Sequence, residues 1–259
     1  MNSTQDNGLS RLSFGSKCFY LLSTASVLTF TWYLITIIFN LPSFILPTPW
    51  GVLIRIVERP EVLLEHAYVT LQEIFFGLIL GLICGMFFAI IMLIFSPIKR
   101  WILPILIISQ AVPVFALAPI FMLWLGYGIA SKIVMAAIII FFPLTMCSFD
   151  GLSNTPRGFI DLAKTMGSTR WQRLRYIQIP AALPAIASGL RVACVVAPIG
   201  AITGEWVGSS AGLGYLMLQA NARMQVDDMF AALFVLSIIS LTLYFMVDAL
   251  LRRYLSWAS

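Results

Sequence analysis

Long apolar runs separated by short polar segments dominate this chain. A helix needs about 20 apolar residues to cross the hydrocarbon layer of a bilayer. Six runs meet this requirement and predict transmembrane helices over approximately 18–39, 69–95, 102–123, 131–149, 183–203 and 229–250. The second run is long, and we expect its helix to start at the membrane interface near His66. The pattern predicts an all-α polytopic membrane protein with about six transmembrane helices.

The composition supports this class of protein. Of 259 residues, 60% are hydrophobic and 10% are charged, whereas a soluble domain carries roughly a quarter charged residues. Because so few charges cannot cover a water-exposed surface, lipid must cover most of it. The net charge is +5, but the basic residues lie in loops between apolar runs, so we expect no nucleic-acid partner.

The cysteines and the N-terminus add little chemistry. Each of Cys18, Cys84, Cys147 and Cys194 lies inside an apolar run without metal-ligand spacing, so we predict small buried side chains and no metal site. The first apolar run is long enough to span and no clear cleavage site follows it, so we expect no cleaved signal peptide. The predicted organisation is a cytoplasmic tail over 1–17 and one transmembrane domain over 18–259.

The positions of Lys and Arg predict the orientation, because cytoplasmic loops carry an excess of both. With the N-terminus inside, eleven basic residues face the cytoplasm: Arg11, Lys17, Lys99, Arg100, Arg157, Lys164, Arg170, Arg173, Arg175, Arg252 and Arg253. Four face outside, namely Arg55, Arg59, Lys132 and Arg223, and Arg191 lies within a span. This asymmetry predicts that both termini are cytoplasmic.

Two further patterns concern the outer side of the membrane and helix packing. An amphipathic interfacial helix is expected from about Trp50 to Glu58, with Thr48 as its cap and Pro49 at its first position. Glycine recurs every fourth residue at Gly77, Gly81 and Gly85, and again at Gly200, Gly204, Gly208 and Gly212. The first series predicts close helix packing. The second runs into "SSAGLGYL", which is too glycine-rich for an ordinary helix, so it fits either packing or a solute path.

The loop between the fourth and fifth predicted spans is basic and rich in capping residues. Thr155 followed by Pro156 predicts a helix start, and Gly167 predicts its end. Ser168 is then expected to cap a second short helix that Pro180 ends. Two short amphipathic helices joined by one glycine would form a compact projection from the membrane.

Charge alone fits a solvated loop that contacts lipid headgroups. The apolar residues Leu162, Ala163 and Met166 argue instead for a packed partner, because a purely solvated loop has no need of an apolar stripe.

The segment "DLAKTMGSTRWQRLRYIQIP" resembles the cytoplasmic signature of permease subunits of binding-protein-dependent ABC importers. That signature reads E-A-A, three residues, G, nine residues, I-x-L-P. Asp161, Leu162 and Ala163 occupy the first triplet, Gly167 follows at the matching distance, and Ile177-Gln-Ile-Pro180 closes the pattern. The departures are Asp for Glu, Leu for the first Ala and Ile for Leu before the proline, all of which are chemically mild.

The resemblance implies the type I ABC importer transmembrane fold in the bacterial inner membrane. It also implies that the loop over 151–182 carries a coupling helix that docks on a separate cytoplasmic ATPase, with Met166 on its apolar stripe. The other implied partners are a periplasmic or extracytoplasmic solute-binding protein, a second permease copy and membrane lipid. No G-x-x-x-x-G-K-[ST] loop occurs in the chain, so no cofactor and no catalytic residue are expected here, and ATP and Mg belong to the ATPase.

Within this family, the chain most resembles the subgroup of permeases that import nitrate, sulfonates, taurine and thiamine-precursor pyrimidines. "SQAVPVFALAPIFMLWLGYGIASK", "GEWVGSSAGLGYLM" and "NARMQVDDMFAALF" look most like permeases for hydroxymethylpyrimidine-type thiamine precursors. We therefore expect an importer permease whose solute is a thiamine-precursor pyrimidine, with sulfonate, taurine or nitrate as alternatives.

Polar residues within the spans are candidates for the translocation path, because such groups usually face a cavity or a partner. These candidates are Glu73, Gln110, Glu205 and Trp206. Arg191 directly follows the loop, so we expect it to couple loop to span. Its side chain is expected either to extend to the membrane surface or to pair with Asp150, and a pair with Glu73 is a further alternative.

Two other classes of membrane protein are disfavoured by the sequence. An ion-driven secondary transporter would need several mid-membrane carboxylates, which the predicted spans lack. An intramembrane enzyme would need paired catalytic groups at depth, and the single histidine lies at the interface.

Overall fold

The computed structural model describes residues 14–258, with side chains except at residues 14–22, 96 and 258. Most of the tail predicted over 1–17 and the side chain of Cys18 therefore lie outside the described residues. The helices are α1 (Phe14–Ile38), α2 (Pro49–Glu58), α3 (Pro60–Ile94), α4 (Ser96–Ser109), α5 (Val114–Leu125), α6 (Ile129–Ser153), α7 (Arg157–Thr165), α8 (Arg170–Arg173), α9 (Ile179–Gly208), α10 (Leu213–Ala222) and α11 (Val226–Tyr254). A π-helical turn over Leu174–Gln178 joins α8 to α9, and a 3₁₀ turn over Ser256–Ala258 follows α11.

Four helical segments of the described chain are long and apolar enough to cross a membrane. They are Pro60–Ile94, Ile129–Ser153, Arg170–Gly208 and Val226–Tyr254, which cover the second, fourth, fifth and sixth predicted spans. Helix α1 covers the first predicted span, and its part over Ser23–Ile38, where side chains are described, is apolar. The all-α membrane class is confirmed, whereas the count of six spans and the cytoplasmic termini stay predictions.

The prediction of one continuous helix over 102–123 for the third span is wrong. The structure instead has two helices that meet at an angle of 103°. Pro113 causes the break, because proline lacks an N–H donor and disfavours the α conformation of the residue before it. The backbone of Pro113 is extended, with φ −61° and ψ 117°.

Helices α3, α6 and α9 pack against each other to form the centre of the fold. The first glycine series makes this approach possible, as predicted, and Gly200 of the second series does the same on α9. A Cβ atom added at Gly77 would lie 2.6 Å from the Cβ of Ala136, and one added at Gly81 would lie 2.7 Å from Ile140. On α9, a Cβ at Gly200 would lie 2.5 Å from the Cα of Ala136. Glycine at these positions thus lets α6 lie in close contact with two neighbours.

The helix predicted from about Trp50 to Glu58 is confirmed with its cap, whereas its position at the membrane interface stays a prediction. Helix α2 begins at Pro49, and the Thr48 hydroxyl accepts a hydrogen bond from the N–H of Gly51 at 3.1 Å. Val52 on its inner face is buried against Leu63 and Leu213. Helix α2 thus packs against α11 and the first part of α3.

The loop after α6 forms two short helices as predicted, but the caps differ. Gly167 has φ +79°, which confirms the left-handed helix end. The Thr155 hydroxyl donates to the Leu152 carbonyl of α6 instead of capping α7. Thr169 caps α8 through a capping box with Gln172. The prediction that Ser168 is the cap was one residue off.

Pro180 does not end the second helix, contrary to the prediction. Helix runs without a break from Arg170 to Gly208. The π-helical turn over Leu174–Gln178 lies directly before Pro180. The wider turn explains how a proline, which has no N–H to donate and clashes with the preceding turn of an α-helix, is accommodated here.

Candidate functional site: an exposed loop helix and a buried carboxylate cluster

Helix α7 presents an apolar face that the described chain leaves uncovered. Phe159, Leu162 and Met166 lie on one side of the helix by spacing, and they are 59%, 60% and 79% exposed. Ala163, in contrast, is buried at 7% exposure and anchors the helix to the rest of the loop. The apolar stripe predicted from the sequence is thus divided between an anchoring residue and an exposed surface that suits a partner.

The polar face of α7 carries an ion pair. Lys164 Nζ lies 2.9 Å from Asp161 Oδ1. This hydrogen bond and the charge of Lys164 lower the pKa of the Asp161 carboxyl below its usual value. Asp161 therefore remains ionised at neutral pH, but the pair is exposed and contributes little to stability.

The remaining signature residues connect this helix to the membrane. Ile177 lies in the π-helical turn and Pro180 at the start of α9, both half-buried. Because the helix is continuous from Arg170, a displacement of the loop would be transmitted directly to α9. The seven signature residues lie in one continuous hairpin, and their coupling role stays a prediction.

Glu205 is buried near the other end of α9, where it holds a backbone turn together. Its Oε1 accepts a hydrogen bond from the Thr70 hydroxyl at 2.6 Å. Its Oε2 accepts hydrogen bonds from the N–H groups of Gly214 and Tyr215 at the start of α10. Gly212 has φ +111°, and a Cβ there would collide with the Glu205 carboxylate. Glu205 thus ties α9, α3 and α10 together.

Glu73 and Lys132 complete a cluster with Glu205. Glu73 is 1% exposed and interacts electrostatically with both other groups. Lys132 is 3% exposed, and its Nζ donates hydrogen bonds to the carbonyls of Tyr127 and Gly128 at 2.6 and 3.0 Å. Among the described residues, Glu73 Oε2 has no hydrogen-bond partner. Two carboxylates and one ammonium group are thus buried within the helix bundle.

This cluster was only partly predicted. Glu73 and Glu205 were path candidates, and the structure brings them together, whereas Lys132 was assigned to an outer loop. The sequence carried no signal for the burial of Lys132, because the space for its stem is left by Gly204 on a different helix: a Cβ at Gly204 would lie 3.0 Å from Lys132 Cγ.

Gln110 and Trp206 lie in different surroundings from the cluster. Gln110 ends α4 at the break before α5 and is exposed. Trp206 follows Glu205 on α9 but is 44% exposed. The role of these residues in a solute path stays a prediction, although a tryptophan that faces outward beside a buried carboxylate fits a path better than a core.

Arg191 pairs with neither of the partners expected from the sequence. Its Nε lies 2.7 Å from Asp248 Oδ1 on α11, and the second oxygen of Asp248 lies 2.7 Å from Arg252 Nε. Asp150 is exposed on α6 and Glu73 lies in the carboxylate cluster. The predicted pairs were wrong because α9 places Arg191 towards α11, which the sequence spacing could not show.

A polar cavity of about 200 Å³ lies between α2, α3, α10 and α11. Arg55, Arg59, Arg223 and His66 line it together with Asp228. Asp228 Oδ1 lies 3.8 Å from Arg55 Nε, and Asp228 Oδ2 lies 3.5 Å from Arg59 Nη1. His66, dismissed from the sequence, accepts a hydrogen bond at Nδ1 from the N–H of Gly212 at 3.0 Å. The histidine therefore supports the turn that also surrounds Glu205.

Comparison with known proteins agrees with this architecture. Residues 77–256 match the family described as "Binding-protein-dependent transport system inner membrane component". The chain belongs to this family. It is 52% identical over 234 residues to a probable ABC transporter permease protein of Haemophilus influenzae, with 90% of this chain and 96% of that protein covered. It is 36% identical to the formylaminopyrimidine transport permease ThiX of Halalkalibacterium halodurans, with 83% of this chain and 86% of that protein covered.

The fold is also found in solved transporters. A chain of the inward-facing MetNI methionine ABC transporter matches with a TM-score of 0.60 and 23% identity, covering 80% of this chain and 98% of that chain. The chain is thus a multi-pass inner-membrane ABC importer permease with the type I transmembrane fold. Its relatives also include a taurine permease of Escherichia coli, at 29% identity over 91% of this chain and 88% of that protein, which confirms the predicted subgroup.

Proposed function

We propose that this permease forms the membrane pathway for a thiamine-precursor pyrimidine and couples it to ATP hydrolysis on a separate subunit. The exposed apolar face of α7, located within the signature segment, carries the coupling part of this proposal. The similarity to a formylaminopyrimidine transport permease over most of both chains supports the solute. Sulfonate, taurine or nitrate import by the same mechanism is the alternative, because the taurine permease matches over a similar length.

The proposed coupling works through rigid contacts. Closure of an ATPase dimer would pull on Leu162 and Met166 and thus move α7. Helix α9 continues from the same loop, and its contact at Gly200 keeps it in close contact with α6. A pull on the loop would therefore tilt α6 and α9 together, which is a rigid-body route to alternating access. ATP and Mg remain on the ATPase.

The proposed assembly contains two copies of this chain on two ATPase subunits. A solute-binding protein would deliver the pyrimidine on the outer side. A closed two-fold arrangement is the commonest symmetry for such assemblies, and the pathway would lie at the contact between copies. Trp206 and Gln110 would face that pathway, while Glu205 and Glu73 would shape the helix ends beside it.

Charge placed on the exposed face of α7 tests the coupling proposal. Met166→Glu should abolish co-purification of the ATPase and solute uptake, because it puts a carboxylate on the apolar contact surface. Lys164→Glu, which places a carboxylate on the polar face of the same helix, is the control and should keep both. Ala163 is unsuitable for this test, since it is buried. Normal ATPase binding and uptake by Met166→Glu would disprove the docking role.

The solute requires a separate experiment. The complex, with its binding protein and ATPase, is reconstituted in proteoliposomes, and ATP-dependent uptake of formylaminopyrimidine, taurine, an alkanesulfonate and nitrate is measured. We expect uptake of the pyrimidine alone. ATP-dependent uptake of another solute without the pyrimidine would refute the assignment and leave the permease function intact.

A further inference from the structure

A basic groove of about 520 Å³ lies between the end of α3 and the hairpin of α7 and α8. One wall carries Lys164, Arg170 and Arg173. The opposite wall is apolar and includes Ile94 and Phe95. The groove is therefore divided into a cationic half and an apolar half.

The cationic half has no carboxylate of its own. None of the residues that line the groove, as the structure describes it, is Asp or Glu. Asp161 contacts Lys164 from outside the groove and offsets one of the three charges. The surplus of positive charge favours an anionic occupant.

The geometry of Arg173 suits recognition of an oxyanion. The Nη1 group of Arg173 donates a hydrogen bond to the Ser168 carbonyl at 2.6 Å, and this bond holds the guanidinium in the hairpin. The group has five N–H donors in a fixed plane, so one such bond leaves donors for a second acceptor. Arginine binds phosphate oxygens in this two-pronged way. Arg170 is exposed one helical turn earlier.

The groove includes the end of α3, a helix long and apolar enough to cross a membrane. Because α3 ends at Ile94, we place this end at the boundary between membrane and water. Phospholipid phosphates lie at this level, with their acyl chains directed towards the hydrocarbon. Ile94 and Phe95 are exposed on the wall that would meet such a chain.

We propose that this groove binds the headgroup of an anionic phospholipid. The phosphate would contact Arg170 and Arg173, and the upper part of an acyl chain would cover Ile94 and Phe95. The lipid would thereby attach the α7–α8 hairpin to the bilayer surface. Binding depends neither on the transported solute nor on the ATPase, so it can be tested on the permease alone.

The test measures lipid binding by the purified, delipidated permease without ATPase. Native mass spectrometry compares phosphatidylglycerol with phosphatidylcholine, which share a phosphate but differ in net charge. Each basic residue near a membrane surface contributes about 1 kcal/mol to binding of anionic lipid. Removal of two such charges by Arg170→Gln/Arg173→Gln should therefore weaken phosphatidylglycerol binding roughly 30-fold, at about 1.4 kcal/mol per tenfold change.

Two control variants keep the result interpretable. Arg157→Gln/Arg253→Gln removes two exposed basic residues outside the groove and should keep the preference for phosphatidylglycerol. Arg170→Lys/Arg173→Lys keeps the charge and should retain most of the preference. If the double glutamine variant fails to fold, as judged by size-exclusion chromatography, Arg170→Gln alone is compared with Arg170→Lys/Arg173→Lys, and the expected loss is about fivefold.

Three results would overturn the proposal. The first is an unchanged lipid preference in Arg170→Gln/Arg173→Gln. The second is an equal loss in Arg157→Gln/Arg253→Gln, which would indicate a general charge effect. The third is displacement of the lipid by millimolar inorganic phosphate or glycerol phosphate, which would make the groove a site for free phosphate.

Discussion

Replacement of Gly200 by alanine tests the close contact between α6 and α9. A Cβ at this position would lie 2.5 Å from the Cα and 3.2 Å from the backbone N of Ala136. Carbon atoms in good contact lie about 3.5–4.0 Å apart, so the helices must separate by about 1 Å. The obstacle is backbone, which cannot rotate away as a long side chain could.

The expected cost follows from two opposing effects. Overpacking of a well-packed interior destabilises by about 1–3 kcal/mol, and contact with backbone places Gly200→Ala near the upper end. Alanine favours helix over glycine by about 1 kcal/mol, which offsets part of this. The net loss should be about 2 kcal/mol in the free energy of unfolding, or roughly a 30-fold shift in the equilibrium.

The measurement is unfolding of the purified permease by SDS in mixed micelles, followed by tryptophan fluorescence. Gly158→Ala on α7 is the matched control, because no atom lies within 4 Å of the added Cβ. The control should be unchanged or more stable by up to about 1 kcal/mol. If Gly200→Ala proved as stable as Gly158→Ala, the close packing of α6 and α9 would be refuted.

Three further predictions concern the polar groups. Asp248→Asn should lower the free energy of unfolding by about 2–3 kcal/mol, because it weakens charged hydrogen bonds to Arg191 and Arg252. Asp150→Asn should leave the free energy of unfolding unchanged. Equal effects of the two variants in the SDS assay would contradict the observed pairing. Glu205→Gln should lower the free energy of unfolding by about 2 kcal/mol in the same assay. An amide cannot accept hydrogen bonds from Thr70 and from both α10 N–H groups as a carboxylate does. A variant as stable as the wild type would show that these bonds contribute nothing. Trp206→Ala should raise the half-saturation concentration for uptake in proteoliposomes while ATPase binding persists; unchanged uptake would exclude this residue from the path.

The hydrophobic pattern was sufficient to predict the class of fold and most of its helices. The reason is local, since an uninterrupted apolar run in lipid must satisfy its backbone hydrogen bonds within a helix. Local chemistry also explains the success at Thr48 and Gly167, where a cap and a left-handed turn depend on a few adjacent residues. The break at Pro113 could have been predicted on the same grounds, because its cause is the proline itself.

The polar contacts between helices could not be predicted in the same way. Whether Arg191 meets Asp150, Glu73 or Asp248 depends on which face of α9 is directed towards α11, and each partner lies at a plausible depth. The burial of Lys132 beside Glu73 and Glu205 similarly depends on the space left by Gly204 on a different helix.

The sequence by itself thus determined a helical membrane permease with a capped, signature-bearing loop, because these features depend on composition and on residues close together in the chain. Only the tertiary structure decided which buried charges meet, which apolar side chains of α7 remain exposed, and where a basic groove forms beside α3. These three features depend on how helices that are distant in sequence are rotated and how closely they approach each other. Small differences in packing set both the rotation and the distance.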